Sequence, residues 1–396
     1  MNRFVQPTAP PVIAGKPETR RYLAVIFAGL VVALALASAV VAWVGQRTGS
    51  TTSFARIVEQ QGQDPALIAL PFNLRYWAMY KLEGVALYRP EIVYISSSRA
   101  GEFREQMFRP YSFYNLSFTA WTLDHATAIL DRVSRTNAPR IVIVEFDYFM
   151  FTASWPRVNA DRSMHFNAEA RYKIESGVDA LRLLAKRTDL LHDCNVRILQ
   201  TVPGCETVPF RFVEIQAIRA QEGFRWDGSY RYSAARLESS KQNLTAKFLV
   251  QAMPGAPNID PGQIAALERL AALARERGVT LIGIQLPLIK EGVDFLDHDP
   301  SYHNYAGVWR EFDSQQMRDK FRSLGIHFFD LGRMSFADDK KNFVDAYHPS
   351  ELGTLRAMIN LCNEPDFHSL LPALDTARLK RDLENAERQG KVYEVY

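Results

Sequence analysis

The stretch that decides the fold is Ile92–Phe103, which reads IVYISSSRAGEF. It begins with the short apolar run Ile92–Ile95, continues through three serines and ends at the start of a helix. Nearly continuous apolar runs are typical of parallel strands that are covered on both faces. Serine is also a common loop residue, so Ser96, Ser97 or Ser98 could serve only to cap the next helix.

Four further apolar runs extend the pattern of this first strand along the chain. They read FYNLSF, RIVIVEFDYF, VTLIGIQLPL and IHFFDLG, at residues 113–118, 140–149, 279–288 and 326–332. Apolar residues at helical spacing predict helices between or after them, at residues 122–135, 260–278, 309–324 and 350–361. Strands that alternate with helices predict an α/β fold, with a three-layer parallel sheet and right-handed crossovers.

The interval from 152 to 258 interrupts this alternation and is too long for a simple loop. We interpret it as an inserted, largely helical subdomain or lid. Within it, RWDGSYRY at Arg225–Tyr232 predicts a hairpin turn with packed tyrosines or, alternatively, part of a sugar-binding wall. The remaining predicted divisions are a linker with an entry helix, the main α/β domain and a C-terminal helix with a tail, at residues 45–89, 90–370 and 371–396.

One segment departs from the pattern of a soluble protein. Tyr22–Val44 contains no charged residue and is long enough to cross a bilayer as a helix, so it predicts a single-pass membrane anchor. Basic residues before it place residues 1–21 in the cytoplasm, as a disordered Pro-rich tail, and the rest of the chain outside. A cleaved signal peptide is the alternative, because alanines in the second half of the segment resemble a signal-peptidase site.

The overall composition narrows the class of protein. Hydrophobic residues at 47% and charged residues at 23% exclude a disordered chain and a protein with many membrane spans. A net charge of +3, with basic and acidic residues interspersed, gives no sign of a nucleic-acid partner. Cys194 and Cys205 could close a disulfide in an oxidising compartment, or all three cysteines could be unpaired with Cys362 buried in a helix. We expect neither a metal ion nor a cofactor.

Ser98 lies where ligands bind in an open parallel sheet, just beyond the carboxyl end of a strand. A serine nucleophile needs a nearby base and a group that orients that base. The downstream stretch FVDAYHPSELG, Phe343–Gly353, offers both, because Asp345 and His348 are three residues apart in a predicted turn. We therefore expect Ser98, His348 and Asp345 to form a catalytic triad.

The order of these motifs resembles the SGNH (GDSL-type) hydrolase superfamily. The first strand ends in the serine run Ser96–Ser98, the second has an Asn-containing turn, the third carries Asp147, and an Asp-x-x-His-Pro motif follows at Asp345–Pro349. The resemblance spans roughly Pro90 to Leu361, without the insertion. It is closest to membrane-anchored members that serve acyl transfer in the cell envelope, such as the alginate and peptidoglycan O-acetylation proteins and the D-alanyl-transfer protein of teichoic acid. It implies an SGNH-like three-layer fold, with Ser98 as nucleophile.

The resemblance also implies an oxyanion hole, the set of hydrogen-bond donors that stabilises a developing negative charge. Its donors would be the backbone N–H of the nucleophile and that of Ser117, which replaces a glycine of the family. Asp147 occupies the place of the family's asparagine and departs from the pattern, because an ionised carboxylate repels an oxyanion. Arg99 could contact an anionic glycan, phosphate or carboxylate, or it could be an exposed residue at the start of a helix.

Three functions fit these observations. The first is an O-acyltransferase or acyl-relay protein that passes an acyl group, by way of Ser98, to a cell-envelope or secreted polysaccharide, beside a membrane-bound O-acyltransferase partner. The second is a carbohydrate esterase, in which water resolves the same acyl-enzyme. The third is a catalytically inactive SGNH-like scaffold subunit of a polysaccharide assembly complex. The anchor and the insertion favour the first, in a bacterial cytoplasmic membrane with the catalytic domain on the periplasmic side.

Overall fold

The computed structural model describes residues 17–65, 76–136, 138–162, 168–186, 221–298 and 305–396. The chain divides into two compact units, residues 1–51 with 170–213, and residues 52–169 with 214–396. Most of the predicted cytoplasmic tail, a large part of the predicted insertion, and both Cys194 and Cys205 lie outside the described residues.

The second unit contains a five-stranded parallel sheet, which confirms the predicted α/β class. Every predicted core strand is present, although most are a few residues shorter than the apolar run. The described strands are β1 Ile92–Ile95, β2 Phe113–Leu116, β3 Ile141–Glu145, β4 Gly223–Phe224, β5 Tyr230–Arg231, β6 Thr280–Gln285 and β7 His327–Asp330. The sheet order is β2-β1-β3-β6-β7, and β4 pairs with β5 in a separate antiparallel hairpin.

The described helices cover the predicted helical segments and add several short ones. In chain order they are α1 Pro17–Arg47, α2 Phe54–Gln63, α3 Trp77–Tyr88, α4 Glu105–Phe108, α5 Leu123–Thr136, α6 Trp155–Val158, α7 Glu169–Lys186, α8 Ala234–Ser240, α9 Ala246–Ala252, α10 Pro261–Glu276, α11 Lys290–His298, α12 Gly307–Phe312, α13 Gln315–Ser323, α14 Glu351–Asn363, α15 Pro365–Leu370 and α16 Thr376–Arg388. Short 3-10 turns lie at Ser98–Ala100, Tyr148–Phe151, Ala160–Arg162, Lys241–Asn243, Ser335–Asp338 and Lys340–Asn342.

The single helix predicted at residues 309–324 is wrong, because two helices occupy this segment. α12 ends at Phe312, and Ser314 caps the start of α13 by accepting a hydrogen bond from the backbone N–H of Met317 at 3.2 Å. A serine that accepts from the N–H three residues later favours a helix start over a helix interior. The apolar spacing of the two short helices runs nearly in phase, so periodicity alone does not separate them.

Helices cover both faces of the sheet. On one face, Leu355 and Met358 of α14 lie in the same buried cluster as Tyr94, Ile143 and Ile282 of the central strands. On the other face, α5 and α10 pack against each other and contact β1 and β6 respectively. Burial on both faces explains why the central strands are apolar at every position and do not alternate with polar residues.

The strand order places a topological switch point between β1 and β3. The chain runs from β1 outward to β2 and then returns across β1 to β3. In open parallel sheets, the crevice for ligands lies at such a point, beyond the carboxyl ends of the strands. The serine run after β1 and Asp147 after β3 both lie at this edge.

A buried lysine fastens the β4–β5 hairpin to the sheet. Lys81 Nζ, of α3, donates to the backbone carbonyl of Asn115 at 3.0 Å and also to that of Gly228, in the hairpin turn. The same group lies 4.1 Å from the ring centroid of Phe224 in β4. The part of the predicted insertion that carries RWDGSYRY is therefore held against the end of β2, and it forms the hairpin that the sequence predicts.

The first unit contains the membrane-anchor candidate. α1 has 31 residues, and its best apolar window has no buried residue within the described structure. Large apolar side chains such as Leu23 and Phe27 are more than half exposed along it. α7 packs against its C-terminal half at Gly177, where an added Cβ would lie 2.8 Å from the Val41 side chain. α1 is long and apolar enough to span a membrane.

A close backbone contact fixes the loop that carries Asp345 and His348. The backbone N–H of Ser350 donates to the carbonyl of Asn342 at 2.8 Å, so the loop closes on itself. Gly353, in the first turn of α14, lies against that same carbonyl, and an added Cβ would collide with it. The absence of a side chain at Gly353 therefore holds this loop close to α14.

We expect the substitution Gly353→Ala to destabilise the protein by about 1–3 kcal/mol, because the new methyl group meets backbone that cannot move aside cheaply. Thermal unfolding of the full chain in detergent, followed by circular dichroism, measures this. Gly262→Ala is the matched control, since its Cβ meets only the Asp260 carboxylate, at the end of a movable side chain. Equal melting temperatures for the two variants would contradict the role given to Gly353.

Candidate active site

The structure brings Ser98, His348 and Asp345 together at the carboxyl edge of the sheet. Ser98 Oγ lies 2.8 Å from His348 Nε2, and His348 Nδ1 lies 2.8 Å from Asp345 Oδ2. Ser98 and His348 are half-buried, whereas Asp345 is buried. A hydroxyl, an imidazole and a carboxylate in this order, within hydrogen-bond distance, form the arrangement that activates a serine nucleophile.

The loop after β7 holds the base and its carboxylate in a tight turn. Val344 donates its backbone N–H to the His348 carbonyl at 2.8 Å, and an antiparallel bridge joins Phe343 to Pro349. Asp345 Oδ1 accepts the backbone N–H of Tyr347 at 3.1 Å and that of His348 at 3.0 Å. The turn therefore fixes Asp345 through one oxygen and leaves the other for the imidazole.

Electrostatics keep the Asp345 carboxylate ionised. Burial alone raises the pKa of a carboxyl group, but pairing with His348 and two backbone N–H donors brings the pKa of Asp345 below its ordinary value. An ionised carboxylate selects the imidazole tautomer with the proton on Nδ1, which leaves Nε2 free to accept the Ser98 proton.

Neighbouring backbone groups and the buried Glu145 side chain hold the serine run after β1 in place. The Ser96 carbonyl accepts backbone N–H groups from Thr119 and Ala120, at 3.1 and 3.0 Å. Ser97 caps the 3-10 turn by accepting the N–H of Arg99 at 3.3 Å. The capping function that the sequence left open therefore belongs to Ser97, and Ser98 is left free to face His348.

Ser117, predicted as an oxyanion donor, has its backbone N–H engaged elsewhere. That N–H donates to Asn115 Oδ1 at 2.7 Å. The Asn115 side chain is itself fixed, because its Nδ2 donates to the carbonyls of Ala100 and Phe103 at 2.7 and 2.8 Å. Asn115 thus joins the end of β2 to the segment after Ser98, and the predicted donor is satisfied within the protein.

Arg99, predicted to contact an anionic substrate, lies inside the protein. It is 2% exposed, and its Nε donates to the Tyr347 carbonyl at 2.7 Å. Its Nη2 donates to the carbonyls of Leu286 and Pro287, at 3.1 and 2.8 Å. Its Nη1 forms an ion pair with Asp147. In this structure Arg99 is a buried link between loops and is not exposed at a helix start.

Asp147, predicted at the asparagine position of the oxyanion hole, forms a buried ion pair with Arg99. Its Oδ1 also accepts the backbone N–H of Leu286 at 3.3 Å. Burial lowers the pKa of Arg99, but the Asp147 carboxylate beside it contributes to a net rise in that pKa, so the guanidinium stays charged. Pairing with an internal cation accounts for a buried carboxylate at this position.

Glu145, the last residue of β3, is a site component that the sequence reading missed. It is fully buried and accepts the Ser97 N–H and hydroxyl, each at 2.9 Å. Burial, the charge of Asp147 and a shared hydrogen bond with Asp147 raise the pKa of Glu145 well above its ordinary value. The signal in the sequence is its position, since an acidic residue at the end of an otherwise apolar buried strand requires partners.

Among the described residues, no group of three or more His, Cys, Asp and Glu side chains could hold a metal ion. Comparison of the chain with protein-family models and with curated proteins gives no match. The chemistry of the site is therefore read from its geometry and from its motifs.

We expect the pH dependence of stability to show that the buried Glu145 side chain stays protonated in the folded protein. The folded protein keeps a proton on Glu145 that the unfolded chain loses near pH 4.3, so the contribution of this group to the free energy of unfolding falls as pH rises, by about 1.4 kcal/mol per pH unit until the raised pKa is reached. Glu145→Gln keeps the shape and the hydrogen bonds without the titrating proton. The variant should lose less stability than the parent between pH 5 and pH 8 in urea denaturation.

A matched control is Glu276→Gln, at the end of α10, where the side chain is exposed. This substitution removes the same formal charge from the chain and should leave the pH slope of the parent unchanged. Identical slopes for the parent and the Glu145→Gln variant would contradict a protonated Glu145.

Proposed function

We propose that this protein transfers acyl groups through a covalent ester on Ser98. The observation that carries the proposal is the continuous hydrogen-bond chain from Ser98 Oγ through His348 to Asp345, with 2.8 Å at each step. This series of hydrogen bonds lies at the sheet edge where open α/β folds place their ligands. It joins residues 250 positions apart in sequence, so chance proximity within a loop does not account for it.

The first chemical step forms the acyl-enzyme. Ser98 Oγ attacks the acyl carbonyl carbon while His348 Nε2 takes the hydroxyl proton, and Asp345 stabilises the imidazolium that forms. When the tetrahedral intermediate collapses, the bond to the leaving group breaks and His348 returns the proton to it. The product is an ester on Ser98 with a neutral imidazole ready for the next step.

The second step transfers the acyl group to an acceptor. His348 removes the proton of an incoming hydroxyl, whose oxygen attacks the ester carbonyl, and Ser98 leaves with the proton restored. A saccharide hydroxyl as acceptor gives an O-acyltransferase, and water gives an esterase. Exclusion of water from the site decides between these products.

The proposed setting is the outer face of a bacterial cytoplasmic membrane. α1 supplies the single anchor, with the basic residues before it on the cytoplasmic side. The motif order supports an SGNH-like domain of the envelope acyl-transfer type, working beside a membrane-bound O-acyltransferase on a polysaccharide acceptor. We therefore place the protein in a relay that moves acyl groups onto an extracytoplasmic glycan.

One observation favours a second candidate function, an inactive SGNH-like scaffold subunit of a polysaccharide assembly complex. Two groups expected in the oxyanion hole are engaged within the protein, Ser117 N–H with Asn115 and Asp147 with Arg99. Loss of one oxyanion donor costs about 10²–10³-fold in turnover, which lowers activity without removing the nucleophile. The formation of an acyl adduct on Ser98 separates the two functions.

We expect the full chain in detergent to form a covalent acetyl adduct when it is incubated with p-nitrophenyl acetate. Intact-mass spectrometry detects the adduct, and release of p-nitrophenol gives its rate. Ser98→Ala should abolish the adduct, and His348→Ala should slow its formation by about 10³-fold or more, because the hydroxyl then lacks its base.

Ser96→Ala is the matched control for this experiment. Ser96 lies two residues away and is buried, with its hydroxyl directed to the Ser97 carbonyl at 3.0 Å. The control should keep the labelling rate of the parent within a few-fold. Labelling that persists in folded Ser98→Ala protein, or a folded parent that never labels with any acyl donor, would reject acyl transfer and favour the scaffold.

A further inference from the structure

A cavity of about 550 Å³ lies in the second unit, on the segment that follows Ser98. Four parts of the chain form its walls: Glu102 after the 3-10 turn of Ser98, the β4–β5 hairpin, α8, and the C-terminal segment after α16. The lining residues that bear on its chemistry are Glu102, Arg225, Arg231, Tyr232, Lys391 and Tyr393.

Glu102 is the buried polar group of this cavity. The residue is 2% exposed, and neither carboxyl oxygen has a hydrogen-bond partner within the described structure. Its nearest cation is Arg225, whose Nη1 lies 3.5 Å from Glu102 Oε2. Burial raises the pKa of Glu102 to about 8, since Arg225 and Arg104 lower it by less and Glu351 raises it further. At neutral pH the group is a neutral carboxyl that can both donate and accept a hydrogen bond.

The charges around the cavity favour an anion. Arg225, Arg231 and Lys391 contribute three basic side chains to the lining, and Glu102 and Glu394 are its two acidic side chains. Glu394 is already paired with Arg231. Lys391 is exposed, and no carboxylate of the described residues lies within ion-pair distance of it. A ligand carboxylate could therefore form an ion pair with Lys391 without breaking an existing one.

The two tyrosines add flat, partly apolar walls with polar ends, which suit a ring that carries hydroxyl groups. Their electrostatics also place the cavity near the catalytic triad. Besides burial, the charges of both Glu102 and Asp345 raise the pKa of Tyr232 and of Tyr393. The cavity is therefore within electrostatic reach of the carboxylate that orients His348.

We propose that this cavity binds an acidic saccharide, with Lys391 on the sugar carboxylate, Glu102 on a hydroxyl and the tyrosines against the ring. A buried neutral carboxyl, a free cation and aromatic walls match the three kinds of group that a uronic acid unit carries. The further assignment of this saccharide as the acyl acceptor of Ser98 rests on the proposed function.

Isothermal titration calorimetry of the full chain in detergent tests the binding, with trigalacturonic acid as the probe and maltotriose as its neutral counterpart. We expect the acidic trisaccharide to bind at least about tenfold more tightly than the neutral one. Lys391→Glu should weaken binding of the acidic probe by at least about tenfold. Lys380→Glu, an exposed lysine on α16 with the same change of charge, should leave binding unchanged.

The pH dependence supplies a second test. Ionisation of Glu102 above pH 8 would place a negative charge against the ligand, among Arg225, Arg104 and Glu351. Affinity of the parent for trigalacturonic acid should therefore fall about tenfold between pH 7 and pH 9. Glu102→Gln, which keeps a neutral side chain of similar shape, should bind at both pH values with nearly equal affinity.

Ser98→Ala separates this proposal from the proposed function, because Ser98 does not line the cavity. The variant should bind trigalacturonic acid as the parent does. Binding without any acyl adduct on the parent would keep the saccharide site and reject acyl transfer. An adduct on Ser98 with no binding, with equal binding of both trisaccharides, or with equal losses in the Lys391→Glu and Lys380→Glu variants, would reject the saccharide site.

Discussion

The buried Arg99 guanidinium is the interaction on which the site depends. It immediately follows Ser98 and binds the carbonyl of the residue before His348, the two carbonyls after β6 and the carboxylate after β3. One side chain thus connects the loops at the ends of four strands. Charge-assisted hydrogen bonds in a buried setting are strong and directional. The distance between Ser98 and His348 therefore depends on a contact formed behind them.

The α/β class and the meeting of Ser98, His348 and Asp345 could be predicted from sequence because both follow from short-range rules. Apolar runs separated by amphipathic helices define a parallel sheet, and the carboxyl ends of parallel strands meet at one edge. Ser98 and the Asp345–His348 turn were assigned to that edge from their positions after the first and last strands. Membership of a family remains a prediction.

The partners of Arg99 and Asp147 could not be predicted, because each residue was read in its local setting. An arginine at a helix start is usually solvated, and an aspartate in place of the asparagine suggests an impaired oxyanion hole. Only the three-dimensional register of β1 against β3 brings the two residues together, so that each neutralises the buried charge of the other. The same limit applies to Glu102, whose burial depends on a hairpin more than 120 residues away in the chain.

The Arg99–Asp147 pair has a consequence for how this protein can change over evolutionary time. Removing either partner alone leaves an uncompensated buried charge, which costs several kcal/mol. Removing both at once is far less costly, but it requires two substitutions in separate codons. Lineages that descend from a common ancestor with this chain should therefore keep the arginine after Ser98 and the aspartate after the third strand together, or have lost them together.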